Sequence, residues 1–383
     1  MNQAVSGAAE NQTQPEVLSE VVNGVGLLTL NRPRQINALS QGMVASLNDA
    51  LKAWTRDPAL KAVVLRGAGE KGFCAGGDVR AVRQSVLDGT PMHKDFFIDE
   101  YRLDYRIHRY SRDFGKPVAV LMDGITMGGG MGLAQGADLR VLTERAKLAM
   151  PETGIGFIPD VGASHFMSRM QAGLALYLGL TGLPIGAADA LLAGFGDVVT
   201  ESASLAGLEE RLAAIDWSAA GASLRGRVHA LRAAAAPKPV RVSAGDASLL
   251  AVLPAVLAHF DPAHDLQRIL ENLERESDAR YAEWAHSTLK TLAGKSPLMM
   301  AVTRELLLRG RRMDLADCFH MEFAVVQHSF AHGDFLEGVR ALLVDKDHAP
   351  AWRAQSAAQV QAAQVEAFFT STAAAWPIQD PPA

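Results

Sequence analysis

Pro117-Val118-Ala119-Val120-Leu121-Met122-Asp123-Gly124-Ile125-Thr126-Met127-Gly128-Gly129-Gly130-Met131-Gly132 is the stretch on which the reading of this chain turns. Pro117–Met122 is a short continuous apolar run, as expected of a strand covered on both faces. The glycines then lead into a helix predicted across Gly130–Gly136, and Leu139-Arg140-Val141-Leu142 is strand-like again. Toward the N-terminus, Ala62-Val63-Val64-Leu65 is another buried strand. It follows a helix that Ser40 caps, with Met43, Leu47, Leu51 and Trp54 on one face, and that Asp57-Pro58 stops. Earlier still, Glu16–Leu30 reads as a hairpin around Asn23-Gly24, a pair suited to a turn that needs φ above zero at both central positions. Asn31-Arg32-Pro33 ends its second strand. A helix begins near Asp78, and a polar, aromatic helical stretch covers 92–112. Beyond the glycines, Ala163–Leu178 and Ala188–Ala193 read as helix and Asp197-Val198-Val199 as a last strand. Short strands alternating with helices predict an α/β core.

Composition changes after residue 205. The chain divides into a loose N-terminus (1–15), the α/β core (16–205), an Ala-rich helical connector (206–246) containing Pro237-Lys238-Pro239, a helical C-terminal region (247–352) and a peripheral tail (353–383). In the helical region Leu266, Ile269, Leu270 and Leu273 form one apolar stripe. Of 383 residues 49% are apolar and 21% charged, which excludes a disordered chain. Lys and Arg (37) against Asp and Glu (42) give a net charge of −5, so no global positive field attracts nucleic acid or an anionic membrane. Cys74 and Cys318 are too few for a disulfide framework or a four-thiolate zinc site. Ala247–Ala258, broken by Pro254, and Leu174–Ala188, with three glycines and Pro184, fall short of the roughly 20 apolar residues of a membrane span. The first twenty residues hold Glu10, Glu16 and Glu20 but no Lys or Arg, unlike a signal or transit peptide. The expectation is a cytoplasmic protein without membrane or nucleic-acid partners.

Several motifs are set aside. Gly67-Ala68-Gly69-Glu70-Lys71-Gly72 matches G-x-G-x-x-G, but Phe73-Cys74-Ala75-Gly76-Gly77 continues it with too much glycine for the first turns of a dinucleotide-binding helix. No P-loop and no G-x-S-x-G elbow occurs. His328 and His332 have the i, i+4 spacing of zinc ligands, but no third ligand accompanies them, since His320 lies two turns away. They read as partly exposed helix residues. Ser164, adjacent to His165, reads as a helix-start residue.

Two glycine runs carry chemistry: Phe73-Cys74-Ala75-Gly76-Gly77-Asp78 and Gly124 through Gly132. Each follows a buried strand and precedes a helix, whose first amides lack intrahelical acceptors and carry partial positive charge. Converging, they would aim two donors at one carbonyl oxygen, an oxyanion hole in which each donor is worth about 2.7–4 kcal/mol. Glycine alone serves equally for tight turns with close helix–strand packing. Met150-Pro151-Glu152-Thr153-Gly154-Ile155-Gly156-Phe157-Ile158-Pro159-Asp160 adds two acids in an apolar loop. Such surroundings raise a carboxyl pKa toward the range of a general acid or base. The alternative is that Glu152 caps a turn and Asp160 caps the helix entering at Gly162.

Asn31-Arg32-Pro33 with Asn37-Ala38-Leu39, Phe73–Asp78 and the run ending at Gly132 resemble the crotonase (enoyl-CoA hydratase/isomerase) superfamily. Within it, Glu100-Tyr101-Arg102-Leu103, Gly124–Gly130, Met150–Asp160, Asp334–Ala341, Asp345-Lys346-Asp347 and Pro350-Ala351-Trp352 resemble the 3-hydroxyisobutyryl-CoA hydrolase subgroup. The resemblance covers roughly 20–352. It implies an α/β fold, a spiral of repeated ββα units with two sheets and a helical C-terminal region. It also implies an acyl-CoA substrate whose thioester carbonyl sits between the amides of Ala75 and Gly129. Glu152 would be the main catalytic carboxylate, as nucleophile or as base on water, Asp160 would assist, and Glu100 would contact the acyl part. Hydrolysis of a short branched 3-hydroxyacyl-CoA, in valine breakdown, is the activity implied, with no metal or redox cofactor. Arg32, Arg34 and Lys71 are candidates for the CoA phosphates, and a homo-oligomer is possible. The alternatives are an enoyl-CoA hydratase or isomerase and a catalytically dead acyl-CoA-binding subunit. Hydratases carry a second glutamate where this chain has Gly132, and that departure favours hydrolysis over hydration.

Overall fold

The protein is described by a computed structural model covering residues 14–370 and Ile378. Most of the predicted loose terminus, and residues 371–377 and 379–383 of the predicted tail, lie outside the described residues. The hairpin forms as expected: β1 (Val17–Val22) and β2 (Val25–Leu30) pair antiparallel around Asn23 and Gly24, both at positive φ. Ser40 Oγ accepts from the Met43 amide and starts α1 (Gln41–Arg56). The chain then alternates between two sheets. β3 (Ala62–Gly67), β5 (Val118–Met122), β7 (Leu139–Thr143) and β9 (Val198–Thr200) join β1 and β2 in a six-stranded sheet of order β1-β2-β3-β5-β7-β9, parallel beyond the hairpin. β4 (Gly72–Cys74), β6 (Ile125–Met127) and β8 (Lys147–Ala149) form a second, wholly parallel sheet. After the β3–β4 pair come α2 (Val79–Asp88) and α3 (Met92–Phe114), and after β5–β6 comes α4 (Gly129–Gln135). This is the ββα spiral that the resemblance implies.

Inward of the exposed edge strand β1, both faces of the large sheet are covered, which is why its inner strands read as largely apolar runs. One face, with Val25, Leu27, Val64, Leu121 and Val141, packs against Leu208, Leu212 and Leu231 of the Ala-rich connector. The other belongs to a core that continues into the C-terminal helices, joining Leu28, Leu65 and Val120 to Phe319, Val326 and Phe335.

Two expectations need correction. The helix predicted over Ala163–Leu178 is broken: Ala163–Phe166 runs into a 3-10 turn ending at Arg169, and a new helix begins at Ala172. The Arg311 guanidinium, at the end of the helix packed on this segment, donates to the carbonyls of Ser168 and Met170 at the break (2.8 and 3.0 Å). The tail is not wholly peripheral. Helix Ala362–Thr370 buries Phe368, whose ring meets that of His328 edge-on at 4.6 Å.

Candidate active site

Because β4 and β6 are parallel neighbours, the loops that leave their C-terminal ends emerge side by side. Gly76, at φ +102°, is needed there: a Cβ would stand 3.2 Å from the Met127 carbonyl oxygen and 3.5 Å from the Gly129 amide nitrogen. Asn37 fixes the first loop from behind. Its buried side-chain amide donates to the carbonyls of Ala68, Gly72 and Phe73 (3.0, 3.1 and 3.1 Å), while its Oδ1 accepts from the Arg32 amide (3.0 Å). The Asn-Arg-Pro…Asn-Ala-Leu pattern thus holds the Ala75 loop in place.

The parallel pairing of β6 with β8 brings Glu152 to the second glycine run. A Cβ on Gly128 would meet Glu152 Oε1 at 2.9 Å, and one on Gly129 would collide with Glu100 Oε1. Glu152 opens a 3-10 turn, Glu152–Ile155, and Glu100 lies on α3. Asp160 follows in the same loop as Glu152, and its Oδ2 accepts from the Tyr101 hydroxyl at 2.7 Å. The structure therefore gathers Ala75, Glu100, Gly129, Glu152 and Asp160, from four separated stretches, into one place.

The two amides differ. No backbone carbonyl accepts from the Gly129 N–H among the described residues, whereas the Ala75 N–H, expected to be free, donates to the Ile36 carbonyl at 2.9 Å. A thioester oxygen would meet a ready donor at Gly129 and would share or displace an existing bond at Ala75.

The carboxyls are almost wholly excluded from water: Glu100 is 2% exposed, Asp104 0%, Glu152 7% and Asp160 5%. Burial, and then the charge of Asp160, hold the Glu152 carboxyl well above the usual range, with Lys295 opposing. Burial pushes Asp160 up to about 7, and the Tyr101 hydrogen bond restrains it. Glu100 is raised by burial and then by Asp160 and Glu152, Asp104 by burial and then by Glu100, Asp160 and Glu322. Among the described residues, Glu100 Oε1, Glu152 Oε2 and both oxygens of Asp104 have no hydrogen-bond partner. Asp160, raised to about 7, is placed to exchange a proton near neutral pH, as acid–base chemistry requires.

Asp160 is not a helix cap. Its backbone carbonyl accepts from Ala163, but the helix-entry amides of Gly162 and Ser164 and the Ser164 hydroxyl all donate to Glu322 (2.7, 2.8 and 2.5 Å). Burial pushes Glu322 up to about 8 against these bonds.

Sequence reasoning missed Tyr101, Asp104, Lys295 and Glu322 as parts of the site. The first two were visible only as neighbours of Glu100 on a polar helix, and nothing in the sequence links the others to it. Gly132 is closed off, since a Cβ there would lie 2.6 Å from Val161 Cβ and 2.7 Å from Asp104 Oδ2. Of the candidate phosphate cations, Arg32 is paired with Glu16 and Asp78, while Arg34 and Lys71 are exposed. The His328 and His332 rings stack on each other, and among the described residues no three His, Cys, Asp or Glu are placed to hold a metal ion.

The sequence profile of the enoyl-CoA hydratase/isomerase family matches residues 25–369. The chain belongs to that family. Among its relatives, the zebrafish (Danio rerio) "3-hydroxyisobutyryl-CoA hydrolase, mitochondrial" is 36% identical over 93% of this chain and 90% of its own length. The Arabidopsis thaliana "Probable 3-hydroxyisobutyryl-CoA hydrolase 3" is 33% identical over 93% and 92%. A crystal structure named as a carnitinyl-CoA dehydratase from Mycobacterium thermoresistibile superposes with a TM-score of 0.80, at 36% identity, covering 92% of this chain and 96% of that one. The match runs from the hairpin through the C-terminal helices, so this member of the enoyl-CoA hydratase/isomerase family shares with these relatives the extension as well as the spiral core. No helix among the described residues is long and apolar enough to cross a membrane.

Proposed function

We propose that this protein hydrolyses a short branched 3-hydroxyacyl-CoA thioester, 3-hydroxyisobutyryl-CoA, to 3-hydroxyisobutyrate and CoA, a step of valine breakdown. The observation that carries the reading is the buried Glu152 carboxyl against Gly128-Gly129, where Glu100 and the Gly129 amide also converge. In this reading the thioester oxygen takes the Gly129 N–H and shares that of Ala75, which polarises the carbonyl carbon. Glu152 then either attacks that carbon, giving a mixed anhydride that water opens, or draws a proton from a water that attacks it. In both routes a C–O bond forms, the C–S bond breaks, and the sulfur leaves as a thiol after taking a proton. Asp160, steadied by Tyr101, orients the water or the substrate hydroxyl, and Glu100 faces the acyl part. The proposed chemistry calls for no metal or redox cofactor, because backbone dipoles activate the thioester.

Support for hydrolysis over hydration comes from position 132, where Val161 and Asp104 leave no room for a second catalytic side chain. Incubation with 3-hydroxyisobutyryl-CoA should release free thiol, and crotonyl-CoA should keep its enone absorbance. Loss of the enone without thiol release would assign a hydratase instead, and binding without either change a non-catalytic subunit. Glu152→Gln should lower thiol release at least about a hundredfold while CoA-ester binding changes little. Turnover left intact would remove Glu152 from the mechanism. Cytoplasmic placement belongs to the same proposal, supported by two buried free thiols, as does assembly into a homo-oligomer, which sedimentation tests.

A further inference from the structure

Lys295 is a charge that the proposed reaction has not used. It lies between helix Ala282–Ala293 and helix Pro297–Gly310, on a link tied to the Glu152 turn. The Ser296 amide donates to the Thr153 carbonyl (3.3 Å). The Ser296 hydroxyl donates to Asp334 (2.5 Å) and accepts from the Met299 amide (3.0 Å). With the link so fixed, Lys295 Nζ would stand 3.1 Å from a Cβ on Gly154, two residues from Glu152. The side chain is half-buried, and among the described residues it has no carboxylate within 4 Å and no hydrogen-bond acceptor. An ammonium drawn out of water without a partner calls for a reason.

The charges around Glu152 supply one. From α3 comes Glu100, and from the following loop Asp160, both acidic. The segment Asp334–Val339, packed on the turn, brings Asp334 and Glu337, the first with Arg353 nearby and the second paired with Arg340. Helix Ala172–Thr181 brings only Tyr177, and the first turn of helix Pro297–Gly310 brings no titratable group. Lys295 is, within this set, the cation that has no carboxylate of its own.

We infer that Lys295 is a positioning residue whose ammonium, anchored through Ser296, favours the ionised form of the Glu152 carboxyl against the acids that crowd the site. The inference rests on the reading of Glu152 as nucleophile or base, since either role needs the carboxylate. Coulomb's law makes a neighbouring cation favour the charged form of Glu152 in a partly dry site, and removing that cation leaves burial and Asp160 unopposed by it.

The test is the pH profile of thiol release for Lys295→Met, Lys295→Arg and the parent protein, with Glu152→Gln alongside. Lys295→Met should move the acid limb of kcat/KM upward by about one pH unit, a loss of about tenfold on the limb with the alkaline plateau nearly kept. Lys295→Arg should keep the parent limb. If the Met variant does not fold, Lys295→Gln makes the same removal. A neutral variant whose profile superimposes on the parent's, or one that loses activity equally at every pH, overturns the inference. An inactive Glu152→Gln beside an unshifted Lys295→Met fails Lys295 alone, whereas an active Glu152→Gln fails the reading beneath it.

Discussion

At the scale of single residues, the site depends on how each carboxyl is held. Asp160 has one strong partner, the Tyr101 hydroxyl at 2.7 Å, in a place where burial already pushes its pKa to about 7. That hydrogen bond favours the charged form, so removing it raises the pKa further. Tyr101→Phe should therefore shift the acid limb of thiol release to higher pH. A bond to a charged group is worth about 1.5–3 kcal/mol, or one to two pH units. The loss should be about tenfold near neutrality and should recover in alkaline buffer, and a pH profile like the parent's would remove Tyr101 from this role. Glu152 and Asp160 were legible in the sequence because acids stand out in an apolar loop shaped by Gly and Pro. Asp104 was not, because an acid on a polar helix reads as solvent-facing until packing shows it under Gly132.

At the scale of elements, α3 shows how far patterning reaches. Its span and polar–aromatic character were legible, but its buried face carries Glu100 and Asp104 one turn apart beside Phe97 and Tyr101. Helical periodicity ranks such a face as half exposed, and the covering of α3 by α1, α2, α4 and helix Leu315–His332 makes it interior. The strands of the large sheet were likewise legible, whereas the three-residue strands β4, β6 and β8 of the second sheet were not. The buried acids have a consequence for stability. Asp104 is held well above its ordinary value by burial, so above about pH 4 the native state binds a proton that the unfolded chain has released. Stability then falls as pH rises through that window. Asp104→Asn removes the titration while keeping the shape, so melting temperature should decline less with pH and gain roughly 2–4 °C at alkaline pH. A parallel decline in parent and variant, followed by differential scanning fluorimetry, would show that Asp104 does not titrate in this way.

At the scale of the whole molecule, the C-terminal helices complete the site as well as follow it. Asp334 holds Ser296 beside the Glu152 turn, and Gly338 packs so tightly on Ile155 and Gly156 that a Cβ has no room. Glu322 reaches from helix Leu315–His332 to the amides of Gly162 and Ser164, just past Asp160. The Asp334–Ala341 motif was legible as a subgroup mark, but its physical role was not, because nothing local ties residue 334 to residue 156. One core joins residues from both stretches, so a fragment ending at 246 would expose Phe157, Met167 and Leu176 to water. Such a shared core unfolds together. Calorimetry should accordingly give a single transition, and Glu322→Ala, which strands two buried amides and a hydroxyl, should lower it as a whole by about 3–5 kcal/mol in stability. Two separable transitions, with only one displaced by the substitution, would mean that the C-terminal helices fold as an independent unit and that the clamp on the Asp160 loop contributes little.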